Sequence, residues 1–430
     1  MKTINKILIF YLLSGIYFID RINAQVINEN VVDTLSLSGF LKGVIKGNLG
    51  YIAEKFNVDI AEAELNAAKI FPDPDLSLSY SNNEERRLKM GQSMEAGINY
   101  QINTGNKRKA GINLARSQYE FSELFLESYF QNLRADAALC YFAGVKSREK
   151  YLLMVNMQKQ VQELAYADSI RNAAGELSNL DALQSSLEAR SVKAEVFKFY
   201  ADMKNTLLNL MVLQGMKLTD SLIIPSDKMT FAIRDFNLPE LLKSAIENRA
   251  DLLAAIKNRE ISENNLKLLR AQRSFEFNLN AGYSYNTIVR NEIAPAPAYN
   301  GLTAGISVPL KFSDLNKGPV NAAELNVRKN MAIIDEYELQ VRAAVIRSFN
   351  NYNALGQKAG HLNSGLIEDA EKILNGRILS YQRGETDLIG VINAQRTYIG
   401  LQLDYIDALY DFTSSLIELE RAAGIWDISR

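Results

Sequence analysis

Two stretches of the chain alternate strictly between apolar and polar residues, and each is followed by a return stretch with the same rhythm. Leu76, Leu78 and Tyr80 alternate with Ser77, Ser79 and Ser81; Met94, Ala96, Ile98, Tyr100 and Ile102 alternate with Ser93, Glu95, Gly97, Asn99 and Gln101. Far downstream, Phe275, Phe277, Leu279, Ala281, Tyr283 and Tyr285 alternate with Glu276, Asn278, Asn280, Gly282, Ser284 and Asn286. Their return partner sets Leu302, Ala304, Ile306, Val308 and Leu310 against Thr303, Gly305, Ser307, Pro309 and Lys311. A period of two is that of a strand with unlike faces. The connectors, Asn82 to Lys89 and Thr287 to Asn300, are polar or Pro-containing, so the expected elements are hairpins over 75–102 and 275–311. Pro309 has no N–H and marks the end of a ladder.

Around the hairpins the chain says nearly the same thing twice, at a spacing of roughly 200 residues. A helical segment from about Leu35 to Ile70 leads into the first hairpin, and one from about Phe236 to Arg273 leads into the second, with Pro239 well placed for a first turn. Long helical runs follow, Lys107 to Ala174 and Gly318 to Gln382. Connectors at Gly175–Asp181 and Gly384–Ile389 then open return helices that end near Gly215 and Gly424. The expected organisation is a first repeat over 25–215, an irregular linker over 216–235 and a second repeat over 236–430.

Four strands with one apolar and one polar face form a sheet whose edges carry unpaired backbone groups. The polar face suits a wet lumen and the apolar face suits lipid, where an unsatisfied backbone group costs several kcal/mol and a sheet has to close. One chain supplies too few strands, so several chains pool theirs; periodicity does not fix how many. A water-soluble α+β arrangement, with helices on the apolar face, is the competing reading. Tyr80, Tyr100, Tyr283 and Tyr285 fit an interfacial girdle equally as they fit an ordinary sheet face. The long runs would each reach about 100 Å at 1.5 Å per residue, far beyond a compact domain's helices. Ile392, Ile399 and Ile406 fall seven apart, flanked by Leu388, Leu403 and Leu409, as coiled-coil contact requires. Ala135, Ala137 and Ala138 permit close backbone approach.

The first residues read as an export signal over 1–24: Lys2 and Lys6, an apolar run from Ile7 to Ile19, and small Ala24 before Gln25. The run is too short for a comfortable helical span, which needs about 20 apolar residues. The 430 residues are 47% hydrophobic with 50 acidic and 48 basic side chains, a net charge of -2 that gives no reason to invoke nucleic acid. Cys140 is the one cysteine and His361 the one histidine, so neither a disulfide nor a multi-imidazole site forms within the chain. Met154, Met157, Met203 and Met211 read as gap fillers. No phosphate-binding loop occurs, Asp73 and Asp75 merely flank a Pro-rich bend, and no catalytic residue, cofactor or metal site is expected.

Particular segments then carry a family resemblance: Tyr381-Gln382-Arg383-Gly384-Glu385-Thr386-Asp387-Leu388-Ile389, Asn393-Ala394-Gln395-Arg396-Thr397, the closing Leu419-Glu420-Arg421-Ala422-Ala423-Gly424, and the Pro-x-Pro junction at Pro72 and Pro74. With these, the sequence resembles the TolC-type outer-membrane efflux proteins over essentially all of the mature chain. The resemblance implies a homotrimer, with a twelve-stranded β-barrel in outer-membrane lipid, four strands per chain, continuous with a long periplasmic α-helical barrel. It also implies a periplasmic adaptor (membrane fusion protein) and an inner-membrane RND-type pump or ABC transporter as partners. The function it implies is a passive exit duct for tripartite efflux. A type I protein-secretion duct and a non-conducting structural outer-membrane protein with periplasmic coiled-coil helices remain alternatives. Residue 25 is Gln, where some relatives carry a lipidated cysteine, so no acyl anchor is expected.

In studied relatives a tyrosine before the Gly-containing turn helps lock the periplasmic end, and that position falls on Tyr381. An arginine-like position beyond the turn falls on Thr386, and two acidic-ring positions fall on Gly390 and Asn393, so a cation-selective acidic ring there is not supported. Asp387, one turn away, is a candidate substitute, with Glu176 and Asp181 in the comparable turn of the first repeat. Read otherwise, such acids are helix-start residues favoured by the dipole. Gly175 and Gly384 suit turns needing positive φ, and the resemblance makes those turns the adaptor-docking tips.

Overall fold

The computed structural model describes residues 33–85, 87–217, 222–310 and 317–427. The expected signal segment and Lys311, the last residue of the second expected hairpin, lie outside them. In order, the elements are β1 (Asp33–Leu35), α1 (Leu37–Gly47), α2 (Leu49–Ala68), β2 (Asp75–Asn82), β3 (Gln92–Asn103), α3 (Lys107–Ala173) and α4 (Asn179–Leu213). After β4 (Ile223–Pro225) come α5 (Leu238–Asn248), α6 (Ala250–Ala271), β5 (Glu276–Asn286), β6 (Tyr299–Ser307), α7 (Lys317–Asn363), α8 (Leu366–Gln382) and α9 (Leu388–Ala423). The two halves repeat the same grammar.

The main sheet is antiparallel throughout in the order β2-β3-β5-β6, which leaves β2 and β6 as open edges. β6 stops at Ser307, two residues before Pro309. Exposure on this sheet is the reverse of a soluble sheet's. Leu78 is 74% exposed and Leu302 87%, whereas the polar set Asn278, Ser284 and Asn286 of β5 is half-buried on the other face. Among the described residues no helix covers the apolar face, which removes the water-soluble α+β alternative. Tyr80, Met94 and Tyr285 share one row near the loop end, while Tyr100 pairs with Leu279 nearer the helices. Tyrosines thus stand toward both ends of an apolar band, with Ile98, Ala281 and Ala304 in one row between them.

α3 is 67 residues long without a break, about 100 Å at the standard rise. Three of the expected uninterrupted runs are divided. Asn48 ends α1 and caps α2, accepting from Tyr51 N at 2.9 Å and donating to the Leu213 carbonyl at 3.0 Å. Arg249 occupies the same bend in the second repeat, holding Asp251 at 2.6 Å and the Ala422 carbonyl at 3.3 Å. Each bend therefore hooks onto the end of its repeat's return helix. The expected 318–382 run breaks at Ser364–Gly365. Ser364 Oγ takes the His361 carbonyl at 2.6 Å, and Gly365 turns left-handed at φ 96°. A serine competing for a backbone carbonyl followed by glycine is sufficient to end a helix.

At the level of the bends lies the densest packing. Phe40, Val44, Tyr141, Leu207 and Leu210 form one core, and Leu252, Tyr352, Phe412 and Leu419 another. Ala135, Ala137 and Ala138 are fully buried, as close helix approach demands. The linker residues over 222–235 are strapped across these cores. Tyr141 donates to the Leu35 carbonyl at 2.8 Å and lies 2.8 Å from Asp227 Oδ2, while Tyr352 donates to the Arg234 carbonyl at 3.0 Å. Short β4, inside that linker, pairs in parallel with β1. Cys140 is partly buried and its thiol is pushed up to about 11, so it stays protonated and inert.

The orientation of the sheet gives the first prediction. Ile98→Arg, in the middle of the apolar face, should cost about 2–4 kcal/mol and deplete the outer-membrane fraction. Asn280→Arg, on the polar face, should leave that fraction near the wild-type level in quantitative immunoblots.

Candidate functional site

The end of the molecule opposite the hairpins is built from two helix–turn–helix tips, α3–α4 and α8–α9. Both turns have one design. Gly175 N donates to the Asn172 carbonyl and Glu176 N to the Arg171 carbonyl (3.0 and 2.8 Å). Gly384 N donates to the Tyr381 carbonyl and Glu385 N to the Ser380 carbonyl (3.0 and 2.9 Å). These are paired C-terminal caps closed by a left-handed glycine, φ 79° at Gly175 and 77° at Gly384. A Cβ at either glycine would meet no atom within 4 Å, so backbone conformation, not crowding, selects glycine.

The next helices start with side-chain caps. Ser178 accepts from Asp181 N at 3.1 Å and its hydroxyl meets Asp181 Oδ2 at 2.7 Å. Asp387 accepts from Gly390 N at 2.9 Å. Asp181 and Asp387 are thus engaged at helix starts, Glu176 and Asn393 are exposed, and among the described residues these acids form no metal-holding cluster. Thr386 Oγ1 lies 3.5 Å from Arg377 Nη1, so a guanidinium stands beside the position that holds a threonine.

Between the tips, Tyr381 is buried with Leu388, Val391 and Ile392, and its hydroxyl donates to Asp168 Oδ1 at 3.0 Å. This bond joins α8 to α3 and is a buried polar link between the two helical hairpins. Arg171 lies 3.9 Å from Asp168 Oδ1 and over the Tyr381 ring at 5.4 Å. Asp168 is only 1% exposed, and its Oδ2 is buried without a hydrogen bond, Ser185 giving its hydroxyl to the Ala182 carbonyl. Burial raises the Asp168 carboxyl above its ordinary range, against the opposing pull of Tyr381 and Arg171. Burial and the carboxylate likewise push the Tyr381 phenol up. Farther along, Arg396 clasps Glu188 through two bonds of 2.7 and 3.2 Å and ties the return helices together.

Sequence reasoning singled out Tyr381 and both glycines but did not single out Asp168, which the structure sets against Tyr381. A signal existed: Asp168 continues the buried face of Met157 and Val161 at helical spacing, and a carboxylate in a core register needs a partner.

Comparison with known proteins places this architecture. The outer membrane efflux protein family model matches residues 53–216 and 241–425, one match to each repeat and together most of the chain. The chain belongs to the outer membrane efflux protein family. As an outer membrane efflux protein it is a non-catalytic duct of the outer membrane with its helical part in the periplasm. It is 23% identical over 404 residues to the cobalt-zinc-cadmium resistance protein CzcC of Cupriavidus metallidurans, covering 91% of this chain and 90% of that protein. It is 20% identical over 375 residues to the outer membrane protein TolC of Vibrio cholerae, covering 83% and 82%. Its fold matches the Campylobacter jejuni CmeC outer membrane channel with a TM-score of 0.77 at 15% identity, over 90% of this chain and 85% of that one.

The Asp168–Tyr381 link has a definite pH sense. A carboxyl pKa raised by folding means the folded tip holds its proton more tightly than the unfolded chain does. The contribution is complete below the unfolded value near ~3.9 and is lost as pH rises through the folded value. Hydrogen exchange of α8 and the end of α3, corrected for intrinsic rates, should show weaker protection at pH 7 than at pH 4. Asp168→Asn keeps an acceptor and removes the charge, so it should abolish this dependence. Tyr381→Phe should loosen the tip by about 1–3 kcal/mol, because a buried acceptor loses its donor.

Proposed function

We propose that three copies of this efflux protein form one passive exit duct, with a shared twelve-stranded barrel above a shared helical barrel. The carrying observation is the four-stranded sheet, apolar where it is exposed and unpaired at both edges, joined to helices of about 100 Å. Closure by sister copies satisfies β2 and β6 in hydrocarbon, and the helices give the reach to meet a partner in the periplasm. Exposed apolar residues along α4 (Leu180, Leu183, Leu187 and Phe197) and α8 (Ile373 and Leu379) supply faces for neighbouring copies.

In this duct Asp168 and Tyr381 hold the periplasmic end closed, and the turns at Gly175 and Gly384 receive a periplasmic adaptor. An inner-membrane pump of the RND or ABC type supplies the energy. Similarity to a cobalt-zinc-cadmium resistance protein across nine-tenths of both chains favours metal-ion efflux over protein secretion as the cargo class. Selection of the cargo then rests with the pump.

Reconstitution in planar bilayers tests the duct. Wild-type protein should show discrete, long-lived conductance steps, and Asp168→Ala combined with Tyr381→Phe should raise their amplitude several-fold. A structural, non-conducting protein would give no steps in either form. Gly384→Val places a β-branched residue at φ 77°, a cost of at least about 1–2 kcal/mol. It should impair export in cells carrying the matching pump while leaving the outer-membrane level intact; undiminished export would remove the docking role from that turn.

A further inference from the structure

The two hairpin loops stand at the end of the sheet remote from the helices, and therefore at the outer surface of the membrane. They are tied into one body. Thr287 N donates to the Gln92 carbonyl at 2.8 Å, and Thr287 Oγ1 accepts from Gln92 N at 2.7 Å. Asn291 works as a staple: its Nδ2 donates to the Leu88 carbonyl at 2.7 Å, while its Oδ1 accepts from Ile293 N and Ala294 N at 2.8 and 3.2 Å. Arg290 N donates to the Lys89 carbonyl at 3.0 Å.

That last bond sets two basic residues, Lys89 and Arg290, side by side along the backbone of the rim. Lys89 itself sits at φ 43°, a left-handed conformation uncommon for a side-chain-bearing residue and held here by the knot. Both side chains are exposed, and neither forms an ion pair with Glu84, Glu85 or Glu292 of the same loops. Around them Leu88, Met90 and Ile288 are about half exposed, and Ile293 is 94% exposed. Adjacent like charges repel, and four large apolar side chains in water are unfavourable. One class of partner answers both: an amphiphile with an anionic head and apolar chains. The loops stand at the outer surface of the membrane, where such an amphiphile is a lipid of the outer leaflet.

We propose that the Lys89–Arg290 pair binds the phosphate-bearing headgroup of an outer-leaflet lipid, whose acyl chains lie against the rim's apolar residues. The pair supplies charge-assisted donors, and the Asn291 staple ties together the two loops that carry them. This inference rests on the outer-membrane location and not on conduction or on the tip.

Lipid binding to the purified protein in non-ionic detergent tests it, read by native mass spectrometry with lipid A as the probe. Lipid A should bind wild-type protein and weaken about tenfold or more for Lys89→Gln with Arg290→Gln, the loss of one or two charge-assisted contacts. Both side chains are exposed, so the double variant should assemble as the wild type does. Asn291→Ala, which keeps both charges but frees the loops, should weaken binding by a smaller factor. Dephosphorylated lipid A should not distinguish wild type from the double variant. Equal lipid A binding by both proteins would overturn the proposal, as would equal binding of the phosphorylated and dephosphorylated forms. Displacement of lipid A by inorganic phosphate at matched concentration would also overturn it, by reassigning the pair to a free anion.

Discussion

Backbone hydrogen bonding in a medium without water governs this molecule. β2 and β6 each present a row of N–H and C=O groups with no partner in their own chain, and the face beside them is apolar and uncovered. In water such an edge is an aggregation hazard; in hydrocarbon each unpaired group costs several kcal/mol. In the proposed assembly, closure with sister strands relieves that cost, and among the described residues no helix is long and apolar enough to cross a membrane. The two cores at the level of the bends, the bends at Asn48 and Arg249 and the unbroken α3 connect the sheet to helices that run on to the tip.

The tip uses the opposite device. Here a polar link is buried inside an apolar contact, and Asp168 remains incompletely satisfied. Such a contact is weaker than a purely apolar one of equal size, because burial penalises the charge that strengthens it. In the proposed duct, that marginal stability suits a closure that a partner opens. The turns beyond it are held in a different way: left-handed glycines and side-chain caps satisfy the backbone locally and leave the turns exposed.

Much of this was legible in the residue pattern. Strict alternation gave all four strands, their unlike faces and the end of β6 before Pro309, because side-chain period and burial are directly coupled in a strand. The glycines at 175 and 384 were legible because few other residues adopt positive φ. The helix breaks were not. Asn48 and Arg249 bend their helices through bonds to Leu213 and Ala422, more than 160 positions away in each case, so local propensity carries no trace of them. The break at Ser364–Gly365 was local, yet the surrounding sequence is strongly helical and outweighs two residues in a periodicity reading. Asp168 escaped for the same reason as the bends, its meaning being set by Tyr381 at a separation of 213 positions.

The central claim, that the open edges pair with sister chains inside the membrane, is tested most directly by cross-edge cysteines. In a Cys140→Ser background, one cysteine is fixed on β2 and a second is scanned along β6, with oxidation carried out in native outer membranes. The account predicts that adjacent registers give a disulfide-linked ladder of two and three chains and nothing larger. Monomers alone at every register, or links confined within one chain, would contradict it.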